Sequence, residues 1–115
     1  MSVRINQAWD QYDRFVHVRS YGVGEGLYDQ GEEFTGVYRI ENGLVGLRKV
    51  DEHGATMLVG QLGAGDFVGY GPFRLHGEHC TSAEVLQPSQ IAFVDSKAVR
   101  SLVRDVPAFL PALFC

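Results

Sequence analysis

The side chains with the most chemistry fall within one stretch, Gly65–Val85, which reads GDFVGYGPFRLHGEHCTSAEV. It holds His76, His79 and Cys80, the hydroxyls of Thr81 and Ser82, and glycines at 65, 69, 71 and 77. Imidazole and thiolate are metal or haem donors, while hydroxyls and glycine-rich backbone offer hydrogen bonds to an anion or a polar ligand. His76 and His79 would share one face of a helix, whereas the neighbours His79 and Cys80 would point to opposite sides of a strand. One haem axial ligand from this group is feasible. A closed tetrahedral site needs a fourth ligand that the neighbourhood lacks, so no metal site is expected, with His76, His79 and Cys80 as the alternative set. The ordinary readings are solvated loop histidines and a cysteine buried as a small hydrophobe.

Catalysis needs a nucleophile or an acid–base pair in one pocket. His17, His53, Asp66 and Ser82 are separated among hairpins and turns and form no such motif, and Asp66 after Gly65 reads as a turn residue. A cupin-like metalloenzyme would carry His-x-His and a following acid on a strand. The nearest match, HGEH at 76–79, has the wrong spacing and lies in a loop, so the chain is expected not to be an enzyme.

Composition narrows the partners. Ten Lys and Arg against fourteen Asp and Glu give a net charge of −4, and the basic residues are dispersed, which makes a poor surface for phosphate backbones. There is no apolar run of membrane-spanning length, and MSVRINQAWDQYDRF lacks the charged-then-apolar order of a secretion signal, so a cytoplasmic protein without membrane contact is expected. The two cysteines, Cys80 and Cys115, lie far apart in no Cys-x-x-Cys arrangement, which argues against a disulfide scaffold.

The elements that must position these residues are mostly strands. Ala8, Trp9, Tyr12 and Phe15 recur at helical spacing, predicting a short helix over about 6–15, and from Val16 the period changes to two. Short apolar runs follow at Leu27–Tyr28, Phe34–Ile40, Leu44–Val50, Met57–Leu62, Phe67–Val68, Ala83–Leu86 and Ile91–Val94, separated by DQGEE, ENG, DEHGA, GAGD and QPS. Many short strands at such spacing predict a sandwich or barrel. Asn42-Gly43 predicts a tight hairpin and DEHGAT a looser one. Val99, Leu102, Val103, Val106, Leu110 and Leu113 return to helical spacing, interrupted by Pro107 and Pro111.

In this order the pieces resemble the sensor domain of the CRP/FNR family of bacterial transcription regulators, which has the cyclic-nucleotide-binding-domain fold. The resemblance runs over about residues 16–114 and rests on GLYDQGEEFTGVYRIENGLVGLRKVDEHGATMLVGQLGAGDFVGY. Within the family, Gly65-Asp66-Phe67-Val68-Gly69-Tyr70 and the histidine loop before Ala83-Glu84-Val85-Leu86 look most like the FNR branch. The resemblance implies a mainly β fold, a double-stranded β-helix or jelly roll flanked by short N- and C-terminal helices. It also implies that a ligand sits at Gly69, Tyr70, Gly71, His79, Cys80, Thr81 and Ser82. Where family members bind cyclic nucleotides, a Gly-Glu pair opens a short helix under the phosphate, and an Arg with a neighbouring Ser or Thr completes the site. Here Gly69 is followed by Tyr70, and the Arg position falls on Cys80 or His79. Both charged anchors are absent, and Arg74 sits on the wrong side of the loop, so cyclic AMP is not the expected effector. The oxygen-sensing branch holds an iron–sulfur cluster through N-terminal cysteines, and none precedes Cys80, so that cofactor is not expected.

These readings combine into one domain over 1–115, with 96–115 the start of a C-terminal helical segment. The expected function is the effector-binding sensor of a CRP/FNR-like regulator, binding a small-molecule effector and pairing as a homodimer through the C-terminal helix. DNA would be reached only through a domain outside these 115 residues. A stand-alone module for a small ligand or cyclic nucleotide is the alternative from another class, and a cupin-like metalloenzyme the second.

Overall fold

The computed structural model describes residues 17–69 and 78–105. Six antiparallel strands and one helix follow in chain order: β1 (His17–Tyr21), β2 (Gly26–Tyr28), β3 (Gly36–Val50), β4 (Thr56–Gly63), β5 (Phe67–Val68), β6 (Ser82–Asp95) and α1 (Ser96–Asp105). The sheet runs β1-β6-β3-β4, with β2 also on β6 and β5 on β3. This is the mainly β roll that the strand spacing and the family resemblance imply. The predicted helix over 6–15 lies outside the described residues, as does the chain after Asp105.

Two long strands form the spine. β3 pairs with β6 from Gly36↔Asp95 to Arg48↔Ser82, and their inward side chains make the core: Val37, Ile40 and Val45 from β3, and Ala83, Val85, Ile91 and Val94 from β6. Phe67 and Val68 of β5 close it, each 1% exposed. Each of the valine, isoleucine and phenylalanine side chains contributes roughly 1.5–3 kcal/mol by leaving water.

The spine corrects one expectation. Asn42-Gly43 does not turn a hairpin, because β3 continues through it to Val50, and the Gln87-Pro88-Ser89 breaker opposite does not interrupt β6. Both strands instead bend together, with register shifts on β3 between Ile40 and Val45. The bend is stitched by side chains. Asn42 Nδ2 donates to Gln90 Oε1 at 3.0 Å, Gln90 N–H donates to Asn42 Oδ1 at 3.2 Å, and Leu44 N–H donates to Ser89 Oγ at 3.1 Å. Gly43 has φ +110°, and a Cβ there would stand 1.9 Å from Ser89 Oγ. The positive φ that suits a tight hairpin also suits a bulge, and the bulge wins because both flanking runs find partners on β6.

Other turns match their local chemistry. In DEHGAT, Asp51 Oδ1 accepts from His53 N–H and Ala55 N–H at 2.8 and 3.0 Å, which closes the β3–β4 hairpin. In GAGD, Asp66 Oδ2 accepts from Gly63 N–H at 2.8 Å, the turn role expected of it. Asp95 Oδ1 accepts from Ala98 N–H at 2.9 Å and caps α1, which buries Ala98 and Val99. No helix among the described residues is long and apolar enough to cross a membrane.

Candidate functional site

The predicted ligand stretch begins where β5 ends. Gly69 is buried with φ +85°, and a Cβ on it would lie 3.1 Å from Tyr28 Cε2, 3.3 Å from His79 Cε1 and 3.5 Å from Tyr38 Cδ2. Glycine is needed there twice over, for its left-handed conformation and for the close approach of three rings. Tyr28 arrives on β2 and Tyr38 on β3, and the rings meet because both strands pair with β6.

His79 is the centre of this cradle. It is 4% exposed, and its ring stacks on Tyr28 with centroids 3.6 Å apart and planes 15° from parallel. Phe34 approaches it at 6.3 Å, and Tyr38 lies 6.1 Å from Tyr28 and 4.8 Å from Phe93. Burial lowers the His79 imidazole from 6.5 to about 4, so it is neutral near pH 7. Its Nδ1 is buried without a hydrogen-bond partner among the described residues. Such an atom calls for an explanation, since buried polar groups are nearly always paired. Burial, followed by Tyr21 and Glu32, pushes the Tyr38 hydroxyl up to about 12 against the opposing pull of Arg19, and that hydroxyl donates to Leu27 C=O at 3.2 Å.

The exit of the cradle is held by a turn. In Asp29-Gln30-Gly31-Glu32, Glu32 N–H donates to Asp29 C=O at 3.0 Å and Gly31 takes φ +87°. Gly31 N–H donates to His79 C=O at 2.8 Å, and His79 N–H donates to Glu32 C=O at 2.9 Å. Gln30 N–H donates to Ser82 Oγ at 2.8 Å. Ser82 is therefore engaged within the fold. Thr81 is half-buried.

Of the predicted site residues, the structure brings Gly69 and His79 into contact and sets Cys80, Thr81 and Ser82 directly beyond. Tyr70, Gly71, His76 and Arg74 lie outside the described residues. Cys80 is half-buried and disulfide-bonded. This corrects the expectation, drawn from the wide spacing of the cysteines, of no disulfide scaffold and of Cys80 as a buried small hydrophobe: distance along the chain does not limit which sulfurs the fold brings together. A bridged sulfur is not a thiolate, so in this state Cys80 is no metal ligand. No group of three metal-ligating side chains comes together among the described residues.

Sequence reasoning missed Tyr28, Tyr38 and Gln30. Tyr28 and Tyr38 read as core, and DQGE read as a plain turn. A signal for Gln30 existed in its place inside that turn, but its partners, Ser82 and Val50, are distant in sequence.

Residues 18–105 match the cyclic nucleotide-binding domain family. The chain is 30% identical over 98 residues to the cAMP-activated global transcriptional regulator CRP of Salmonella typhimurium, covering 84% of this chain and 47% of that protein. It is 31% identical over 108 residues to the cAMP-dependent protein kinase type II regulatory subunit of Drosophila melanogaster, covering 89% of this chain and 28% of the relative. The chain thus spans less than half the length of these curated relatives. Among solved structures, the catabolite activator protein of Thermus thermophilus has the same fold, with a TM-score of 0.81 at 21% identity over 93% of this chain and 50% of the other.

Proposed function

Because this chain belongs to the cyclic nucleotide-binding domain family, we propose that it is the effector-sensing domain of a CRP-like transcription regulator, with the effector held by Gly69, Tyr70, Gly71, His79, Cys80, Thr81 and Ser82. The observation that carries this reading is the Nδ1 of His79, which has no hydrogen-bond partner among the described residues and is buried beside Gly69 in the segment where the family receives its ligand. An effector with a hydrogen-bonding group would satisfy that atom and reach the Thr81 hydroxyl.

The same chemistry argues against cyclic AMP. A small anionic ligand gains most from a charge-assisted pair in a sheltered site. Here the guanidinium position falls on His79, whose imidazole is neutral, or on Cys80, which is disulfide-bonded, and neither supplies a cation. We take the regulator to act as a homodimer through the helical segment that begins with α1, and to reach DNA through a separate domain, with no enzymatic role for this one.

Isothermal titration with cyclic AMP, paired with native mass spectrometry of the purified protein, tests the proposal. The expected result is no cyclic AMP binding at micromolar concentration and a retained small molecule that His79→Phe releases. Micromolar cyclic AMP affinity would overturn the exclusion of that nucleotide. Retention unchanged by His79→Phe would overturn the site.

A further inference from the structure

The strand register leaves a gap beside the cradle. β6 begins at Ser82, opposite Arg48, while β3 runs two residues further to Val50. On one side Val50 pairs with Thr56 of β4. On the side that β6 no longer covers, its backbone groups are taken by the Gln30 side chain: Val50 N–H donates to Gln30 Oε1 at 2.7 Å, and Gln30 Nε2 donates to Val50 C=O at 3.4 Å. One carboxamide thus presents the acceptor and donor that another strand residue would present. The backbone N–H of the same residue is fastened to Ser82 Oγ at 2.8 Å, and the turn that carries it is fastened to both backbone groups of His79.

We propose that Gln30 is the positioning residue that couples the exit of the effector cradle, residues 79–82, to the tip of the β3–β4 hairpin at Val50. A shift of His79 or Ser82 moves the turn 29–32, and the Gln30 side chain carries that shift to the end of β3. The tip it reaches is exposed. Val50, Met57 and Val59 are 41%, 64% and 49% exposed and line a hollow of about 200 Å³ with Lys49, Asp51, Ala55 and Thr56. The coupling rests on the reading of residues 69–82 as the effector site, but its physical link is present without ligand. It can therefore be tested without one.

The test is amide hydrogen exchange of the whole chain in a double-mutant cycle, read at Val50. Gln30→Ala removes the acceptor of the Val50 N–H and is expected to speed its exchange about fivefold. Ser82→Ala releases the Gln30 backbone and is expected to speed Val50 about two- to threefold, while adding nothing in the Gln30→Ala background. Ser82→Thr keeps the acceptor and should restore the wild-type rate. Ile91 and Ala92 amides, in the core of β6, should not change in any variant, which separates a local release from general loosening. If Ser82→Ala leaves Val50 unchanged, or acts equally with and without Gln30, the coupling is overturned. Acceleration of Val50 only in step with Ile91 and Ala92 would overturn it as well. Failure of the cycle beside a successful effector measurement overturns the coupling alone, and the reverse result overturns only the effector reading.

Discussion

Gly43 and Gly69 both hold positive φ against packed neighbours, one at the β3–β6 bend and one at the mouth of the cradle, and they meet opposite surroundings. At Gly43 the neighbour is Ser89, whose hydroxyl accepts from Leu44 N–H at 3.1 Å and donates to Gln87 C=O at 2.7 Å. That hydroxyl is engaged both as acceptor and as donor. At Gly69 the neighbours are the rings of Tyr28, Tyr38 and His79, and His79 Nδ1, shut in there, has no hydrogen-bond partner among the described residues. The bend is therefore built for a single conformation. The cradle keeps a hydrogen-bonding group buried and unpaired among the described residues, which is costly in a purely structural junction and useful in a binding one.

The sharpest way to break this contrast is Gly43→Ala. Its Cβ would meet both the side chain and the backbone of Ser89 in a left-handed conformation, so a stability loss of about 3 kcal/mol or more is expected in urea denaturation. A loss below 1 kcal/mol would show that the bend yields and is not the rigid half of the pair.

Acid should probe the other half with a similar ceiling. Because burial lowers the His79 imidazole to about 4 from 6.5, the unfolded chain binds more protons than the folded one between those values. Stability is complete above about pH 6.5, declines as the pH falls through this window and levels off below about pH 4. The full span is about 3 kcal/mol at roughly 1.4 kcal/mol per unit. Subtracting the pH–stability curve of His79→Phe from that of the wild type should isolate the slope. Parallel curves would mean that His79 is not buried as described.

Gly69→Ala comes next, with an expected loss of about 1–2 kcal/mol. The neighbouring rings stand 3.1–3.5 Å from the added methyl and can shift by tenths of an ångström where the Ser89 backbone cannot. Its signature should be a changed His79 ring environment by NMR in a protein that still folds. A loss equal to that of Gly43→Ala would erase the distinction between the two sites. The smallest effect is expected from Ser89→Ala, which leaves Leu44 N–H without its acceptor at a cost of about 1 kcal/mol in thermal unfolding.

The contrast also explains what could be read from the chain. DEHGAT, GAGD and the start of α1 were legible because each is closed by hydrogen bonds within a few residues, as at Asp51, Asp66 and Asp95. Asn42-Gly43 was misread for the complementary reason: its local preference fits both a hairpin and a bulge, and the choice is made by Gln87–Gln90 on a distant strand. The resemblance of their order to a known family singled out Gly69 and His79, which the fold brings together. Tyr28 and Gln30 join them only through pairings that span about half the chain, such as Tyr28 with Ala83 and Gln30 with Ser82. No local pattern carries that information.

The long pairing of β3 with β6 also sets when the cradle can exist. Gly36↔Asp95 and Arg48↔Ser82 join partners far apart in sequence, so the chain must close large loops before the spine gives anything back. A topology dominated by such contacts folds in milliseconds to seconds, where local helical folds take microseconds to milliseconds. Gly69 and His79 lie inside the loop that the spine closes, and Tyr28 sits on β2, which pairs with β6. On a ribosome or after dilution from denaturant, a ligand would therefore find no partial cradle to bind, and its capture would report completed folding rather than guide it.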